Sequence, residues 1–283
     1  MEGVADAVQG VVGGFYSALG PAGRQLKNLA HGTFPLHHPL HPALTDIPLG
    51  AWLIGLVLDY VALSNHSLPA WPGDLALGLG TLVALAAAAT GYTDFHETYG
   101  LERRTALTHG LLMTLVVLLQ VVSFALRLWA GSGAHTVAVV IATVAVLIAM
   151  LGMYVGGHVS FGFGTMVNRV AFQEGGPEDF VEVGTAADFP AGALKRVDAA
   201  GLPALVVRTS SGLHAIGAVC SHAGGPLDEG TLEGERVICP WHGSCFRLDD
   251  GEAVCGPATF SQPLFDVRER GGKVELKLKT PLH

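Results

Sequence analysis

Two short stretches decide how the chain is read: CSHAGGPL at 220–227 and CPWHGSCF at 239–246. Each carries a mixed pair, Cys220 with His222 and Cys239 with His242, and sixteen residues separate the two pairs. That length suits two loops at the tips of adjacent hairpins, each delivering one thiolate and one imidazole to the same metal group. Gly224, Gly225 and Gly243, with Pro226 and Pro240, supply the tight turns and exposed amides such loops need. Two kinds of centre accept these donors. A two-iron cluster can take both thiolates on one iron and both neutral imidazoles on the other, and zinc takes the same four ligands. Zinc fingers, however, usually group cysteine with cysteine and histidine with histidine, whereas here each pair is mixed.

Around these loops FVEVG, ALVVRT, LHAIGAV, RVICP, CFRLDDGEAV, LFDVRER and KVELKLK alternate or run apolar between turn residues, which predicts short antiparallel strands. Through CSHAGGPL and CPWHGSCF the stretch from about 178 to 279 resembles the Rieske iron-sulfur family. The resemblance implies a small β-sandwich with a [2Fe-2S] cluster at one end, ligated by Cys220, His222, Cys239 and His242, and with both histidines at an exposed tip. In the family's high-potential branch each cluster loop carries one further cysteine, and the two are joined; here those places hold Gly225 and Trp241, as in the ferredoxin-like branch. Ser244 stands where a family hydroxyl donates to a cluster sulfur, while Phe246 lacks the phenol of high-potential relatives. Sulfur hydrogen bonds raise the potential, so a value below that of respiratory centres is expected. Cys245 and Cys255 flank the turn LDDGEA, which would bring them near each other across a hairpin, and they are expected as thiols in a reducing cytoplasm.

The first 172 residues have a different composition, holding only six of the 16 Lys and Arg and eight of the 24 Asp and Glu. No charged side chain occurs between Asp74 and Asp94, between Arg104 and Arg127, or between Arg127 and Arg169. Each gap is long enough to cross hydrocarbon. Spans are predicted near 47–63, 73–92, 106–129 and 134–157, the first containing Asp59. Buried helices of a soluble bundle would need charged outer faces, and none is present. Ahead of the spans, Val4, Val8, Val11, Phe15 and Leu19 recur at helical spacing, as in an amphipathic helix lying on a membrane face or against the bundle. No basic residue precedes these apolar positions, so a secretory signal is not expected. The fold class expected is thus two-domain: an amphipathic segment at 1–33, an all-α four-helix transmembrane bundle at 34–170, a linker at 171–178 and an all-β Rieske-type domain at 179–280.

Arg24, Lys27, Arg103, Arg104 and Arg169 fall in loops on one side of the spans, whereas the opposite loops contribute only Arg127. Basic loops stay cytoplasmic, so a multi-pass protein of the inner (plasma) membrane with both termini cytoplasmic is expected. His37, His38 and His41 precede the first span, Asp94, His96 and Glu97 end the second, His109 opens the third and His158 ends the fourth. All lie on the cytoplasmic side. Ionisable groups at membrane depth mark a functional site by default, and His41, Asp94, His109 and His158 are the candidates for one, holding haem, another metal or a quinone. The structural reading is that these histidines bond loop carbonyls or sit at the headgroups. His66, His135 and Asp59, toward the other face, are read as structural. HPLHPALTDIPLG, GYTDFHETYG, THG and GGH resemble, over about 34–169, a family of bacterial four-helix membrane proteins of unknown function. VSFGFGTMVNR lacks that family's Arg-His pair.

The function these features imply is membrane-anchored electron transfer through the [2Fe-2S] cluster, with redox sensing for a membrane partner as the alternative. A terminal oxygenase also needs a mononuclear iron held by two histidines and a carboxylate, and after His242 the sole further histidine is His283. Beyond residue 172 ten Lys and Arg stand against sixteen Asp and Glu, a net −6, which argues against nucleic acid and for a redox protein partner with a basic docking face.

Overall fold

The computed structural model describes residues 1–65, 67–129, 132–173 and 175–279; His66 and His283 lie outside the described residues. The chain divides into two compact units. One comprises Met1–Arg24 and Leu40–Phe163, the other Gln25–Pro39 and Gly164–His283.

In the first unit, α1 (Glu2–Ala18) and the start of α2 (Gly20–His31) precede four long helices, α3 (Leu40–Ser64), α4 (Trp71–Phe95), α5 (Gly100–Trp129) and α6 (Ser132–Gly157), the last continuing through a π turn at His158–Gly162. Among the described residues, four helices are long and apolar enough to cross a membrane, Leu40–Ser64, Trp71–Phe95, Gly100–Trp129 and Gly133–Gly162. The first begins earlier than its composition suggests and runs through the buried Pro48. α3 pairs with α4 and α5 with α6. The two hairpins meet through α4 with α5 and α3 with α6, which leaves α3 and α5 diagonally opposed. Trp52, Leu77, Val116, Val139 and a run of alanines on α6 fill the centre. Small residues set how closely the helices approach: a Cβ on Gly80 would meet the Trp52 indole at 3.0 Å. Leu53, Ile54, Leu79, Leu82, Leu147 and Leu151 are exposed on the outside of the bundle.

α1 packs through small residues and one member of its apolar stripe, Val8. Ala5 and Val8 pack with Phe95 and Leu107, Gln9 donates to the carbonyls of Phe95 and Thr98 at 3.0 and 2.9 Å, and Gly13 lies against His96, where a Cβ would be 2.6 Å from the ring. Val4, Val11, Phe15 and Leu19 remain exposed. Arg104 pairs with Glu2 at 2.6 Å and Arg103 with Asp6, so charge as well as packing fastens α1 to the first turns of α5.

The second unit is an antiparallel β structure. Its strands are β1 (Val181–Thr185), β2 (Leu194–Ala199), β3 (Leu202–Thr209), β4 (Gly212–Gly217), β5 (Thr231–Glu233), β6 (Arg236–Ile238), β7 (Cys245–Arg247), β8 (Ala253–Cys255), β9 (Leu264–Arg270) and β10 (Lys273–Leu278). They form a six-stranded sheet in the order β1-β10-β9-β4-β3-β2 and a four-stranded sheet in the order β5-β6-β7-β8. β3 is buried on both faces, because alternate residues of a strand point opposite ways. Leu205 and Val207 join Val237, Phe246 and Leu248 in one core cluster, while Ala204 and Val206 join Phe265, Val274 and Leu276 in the other. Residues 25–39, which sequence alone groups with the N-terminal part, belong to this unit. Asn28 donates to the Val254 carbonyl and accepts from the Gly256 amide, both at 3.1 Å, and His31 and Thr33 are fully buried.

Candidate metal centre

The two mixed pairs lie on loops of the same backbone design. In the first, the Cys220 N–H donates to the Gly225 carbonyl (2.8 Å) and the Gly224 N–H returns to the Cys220 carbonyl (2.9 Å). In the second, Cys239 donates to Ser244 (2.8 Å) and Gly243 to Cys239 (3.1 Å). Gly224 (φ 82°) and Gly243 (φ 75°) occupy the left-handed conformation that closes each turn. Only the second loop tips a hairpin, β6–β7. The first joins β4 of the large sheet to β5 of the small one, closed by a bridge between Val219 and Pro226, so the expectation of two adjacent hairpin tips is corrected on that point.

These loops bring the four candidate side chains together. Cys220 and Cys239 are buried at 1% and 2% exposure, and the His222 and His242 rings lie 4.8 Å apart at 83°. The neighbouring Cys239 sulfur, together with burial, pushes the Cys220 thiol up. A hydrogen bond from Cys220 holds Cys239 down to about 7, assisted by the backbone amides of Trp241 and His242. The amides of His222 and Ala223 point likewise at Cys220. Such N–H groups stabilise thiolate, the form that binds metal. A Cβ on Gly225 would stand 2.8 Å from the Cys239 sulfur and 3.1 Å from the Trp241 ring, so glycine keeps this cradle open. Two thiolates on a buried floor beside two imidazoles fit a [2Fe-2S] cluster with one sulfur-ligated and one nitrogen-ligated iron.

Against the expected exposed tip, His222 is buried and His242 half-buried. The chain beyond the fourth helix crosses the first loop, where the Arg169 N–H donates to the Ser221 carbonyl at 2.9 Å. Ser244 is fully buried, and its hydroxyl oxygen accepts the Ala258 N–H at 3.0 Å, which leaves its own proton to be donated. Sequence reasoning missed the loop that braces both others. The Ser221 hydroxyl donates to the Phe260 carbonyl at 2.5 Å, and the Gln262 amide bonds the Val219 carbonyl and the Ser221 N–H at 2.9 and 2.8 Å. The Gly256-Pro257 dipeptide was the local signal for that loop. Cys245 and Cys255 are joined in a disulfide, which corrects the expectation of thiols: the LDDGEA turn sets them opposite each other on β7 and β8, with Cα atoms 4.9 Å apart, within bridging range.

Of the membrane candidates, His41 and His109 meet, with ring centroids 6.2 Å apart. His158 is exposed and lies against Phe163 at 5.0 Å, and Asp94, on α4, is partly buried. At the other end Asp59, Asp74 and His135 offer ligand atoms within 4.8 Å of one another. Arg127 already bonds both carboxylates there, at 2.6 and 2.8 Å, and supplies the positive charge.

Residues 179–266 match the model of the Rieske [2Fe-2S] domain, and residues 37–169 match that of a predicted membrane protein family (DUF2231). Ferredoxin CarAc of Metapseudomonas resinovorans is 32% identical over 96 residues, which cover 34% of this chain and 90% of that protein. Apoptosis-inducing factor 3 of Mus musculus is 35% identical over 103 residues, or 36% of this chain, and the chain spans only 17% of its length. Among solved structures, the ferredoxin of carbazole 1,9a-dioxygenase from Nocardioides aromaticivorans IC177 is 28% identical, covering 35% of this chain and 98% of that one with a TM-score of 0.34.

Proposed function

Because the chain belongs to the Rieske [2Fe-2S] family through its C-terminal domain, we propose that it is a one-electron carrier fixed to the inner membrane by four helices, with the cluster domain on the cytoplasmic side. The observation that carries this reading is the convergence of Cys220, Cys239, His222 and His242 on one cradle. The cluster, when bound, exchanges a single electron and makes no bond to a substrate. Cys220 and Cys239 would hold one iron and His222 and His242 the other. Backbone amides of both loops offset the thiolate charge, Gly225 leaves the volume the cluster needs, and Ser244 donates to a sulfur. The half-buried His242 is the port for the electron. The partner is a redox protein that meets the acidic domain with a basic face. Iron and acid-labile sulfide in the purified full-length protein, with a histidine-ligated [2Fe-2S] EPR signal on dithionite reduction, are the expected result. Stoichiometric zinc without iron would refute the proposal.

Two further outcomes follow from this reading. The Ser244 hydroxyl already accepts from Ala258, so the bond it can still make is as donor. A hydrogen bond to a charged acceptor is worth roughly 1.5–3 kcal/mol, and loss of its redox-dependent share in Ser244→Ala should lower the midpoint by on the order of 50–100 mV. An unchanged midpoint in redox titration would show that the hydroxyl does not reach a sulfur. For sidedness, variants that keep only Cys220 and Cys239 plus one reporter cysteine are treated with an impermeant maleimide on intact cells. A reporter replacing Leu68 should label, while reporters replacing Gly100 or Arg270 should label only after lysis. Labelling of the Arg270 reporter from outside would reverse the topology.

A further inference from the structure

We propose that the membrane bundle holds a haem whose iron is ligated axially by His41 and His109. The two residues sit on α3 and α5, the diagonal pair of the bundle, and their rings approach to 6.2 Å between centroids at 72°. Cofactor sites in four-helix bundles are built from such inward-facing residues. Each ring is positioned by the same device. His41 Nδ1 bonds the Ala87 carbonyl of α4 at 2.8 Å, and His109 Nδ1 bonds the Gly152 carbonyl of α6 at 2.8 Å. Four residues beyond each carbonyl stands a glycine, Gly91 or Gly156, against which the ring lies so closely that a Cβ would come within 2.7 Å of Cε1. Each helical hairpin thus contributes one histidine, one orienting carbonyl and one glycine.

A carbonyl on Nδ1 fixes that nitrogen as the donor and leaves the Nε2 lone pair for a metal, the arrangement usual in metal-ligating histidines. Neither Nε2 has a hydrogen-bond partner among the described residues, and both rings are only partly buried. An iron midway between two imidazole nitrogens, about 2 Å from each, would put the ring centroids about 6.4 Å apart, close to the distance seen.

The chemistry of the donor set selects the kind of metal group. Among the described residues of the bundle, the three potential ligands whose donor atoms all lie within 4.8 Å of one another are Asp59, Asp74 and His135, at the other end. At His41 and His109 a bare dication would therefore have two neutral protein ligands and no compensating charge, in a medium where an unpaired charge is costly. A porphyrin brings four equatorial nitrogens and two negative charges of its own. Two axial donors from the protein would complete its coordination.

The test is spectroscopic and uses the detergent-purified full-length protein, as isolated and after titration with hemin. About one haem per chain with a low-spin, bis-imidazole spectrum is expected. His41→Ala and His109→Ala should each abolish that spectrum while the reduced-cluster EPR signal remains, and His158→Ala should change neither. Gly156→Ala, which crowds the His109 ring with both histidines retained, should also lose it. If an alanine variant loses the cluster as well, His109→Met decides, since a thioether keeps an axial ligand: bound haem with a spectrum shifted to the His-Met type supports the site, and an unshifted spectrum refutes it. Protein that neither contains nor binds haem, that carries quinone or bare metal instead, or whose haem is indifferent to both histidines would overturn the proposal.

Discussion

Replacing any one of Cys220, His222, Cys239 or His242 with alanine should leave protein without the reduced-cluster EPR signal. The more searching variant leaves all four in place. Gly225 adjoins the first loop, and a methyl there would come within 2.8 Å of the Cys239 sulfur and 3.1 Å of the Trp241 ring. Both neighbours are held by their own loop, whose Cys239 and Gly243 amides are committed to backbone carbonyls, so neither can yield cheaply. High-potential relatives carry cysteine at this place but have no tryptophan opposite it, so in this chain Gly225→Ala should sharply lower cluster occupancy through the clash with Cys239 and Trp241. Gly224 is the internal control. It has a positive φ of 82° but nothing within 4 Å of a Cβ, so Gly224→Ala costs only the left-handed strain of roughly 1–2 kcal/mol and should retain iron. Full iron occupancy in Gly225→Ala would show that this cradle is not where the cluster sits.

The cluster pairs were legible in the sequence because mixed Cys/His spacing is a local signal, and the spans because their charge-free stretches are long. What escaped depends on partners distant in the chain. β2 carries Lys195, Arg196 and Asp198 on the edge of its sheet, where one side stays wet and the apolar alternation that marks a strand is diluted. β5 has three residues, too few for any pattern. The docking of residues 25–39 rests on Asn28, whose partners Val254 and Gly256 lie more than 220 positions away. The stripe on α1 was a correct helix signal, and four of its five residues stay exposed, as they would on a membrane face; Ala5 and Gly13 pack because they are small, and a search for large apolar residues passes over them. The disulfide shows the reverse case. Compartment chemistry argued for thiols, while the register of β7 against β8 places the two sulfurs together whatever the solvent.

Arg127→Met is expected to destabilise the bundle by roughly 3–5 kcal/mol. The Arg127 and Asp59 side chains are fully buried. The guanidinium reaches Asp59 on α3 through two bonds of 2.8 and 2.6 Å and Asp74 on α4 through one of 2.8 Å. Its Nε donates to Ser123 on α5, and the Ser123 hydroxyl in turn donates to the Ala138 carbonyl on α6, at 3.3 and 2.8 Å. One side chain thus links all four helices. Methionine matches the length of the stem but strands the Asp59 carboxylate in an apolar interior, and an uncompensated buried charge costs more than the pair was worth. Asp74, 28% exposed, can take up water instead. It follows that Asp59→Asn combined with Arg127→Met should recover most of the loss, because no buried charge then remains. Thermal or SDS-titrated unfolding of the full-length protein in detergent micelles would measure both. A single-variant loss below about 1 kcal/mol, the range of exposed pairs, or a double variant no better than the single, would show that the Asp59 charge is not buried as this structure has it.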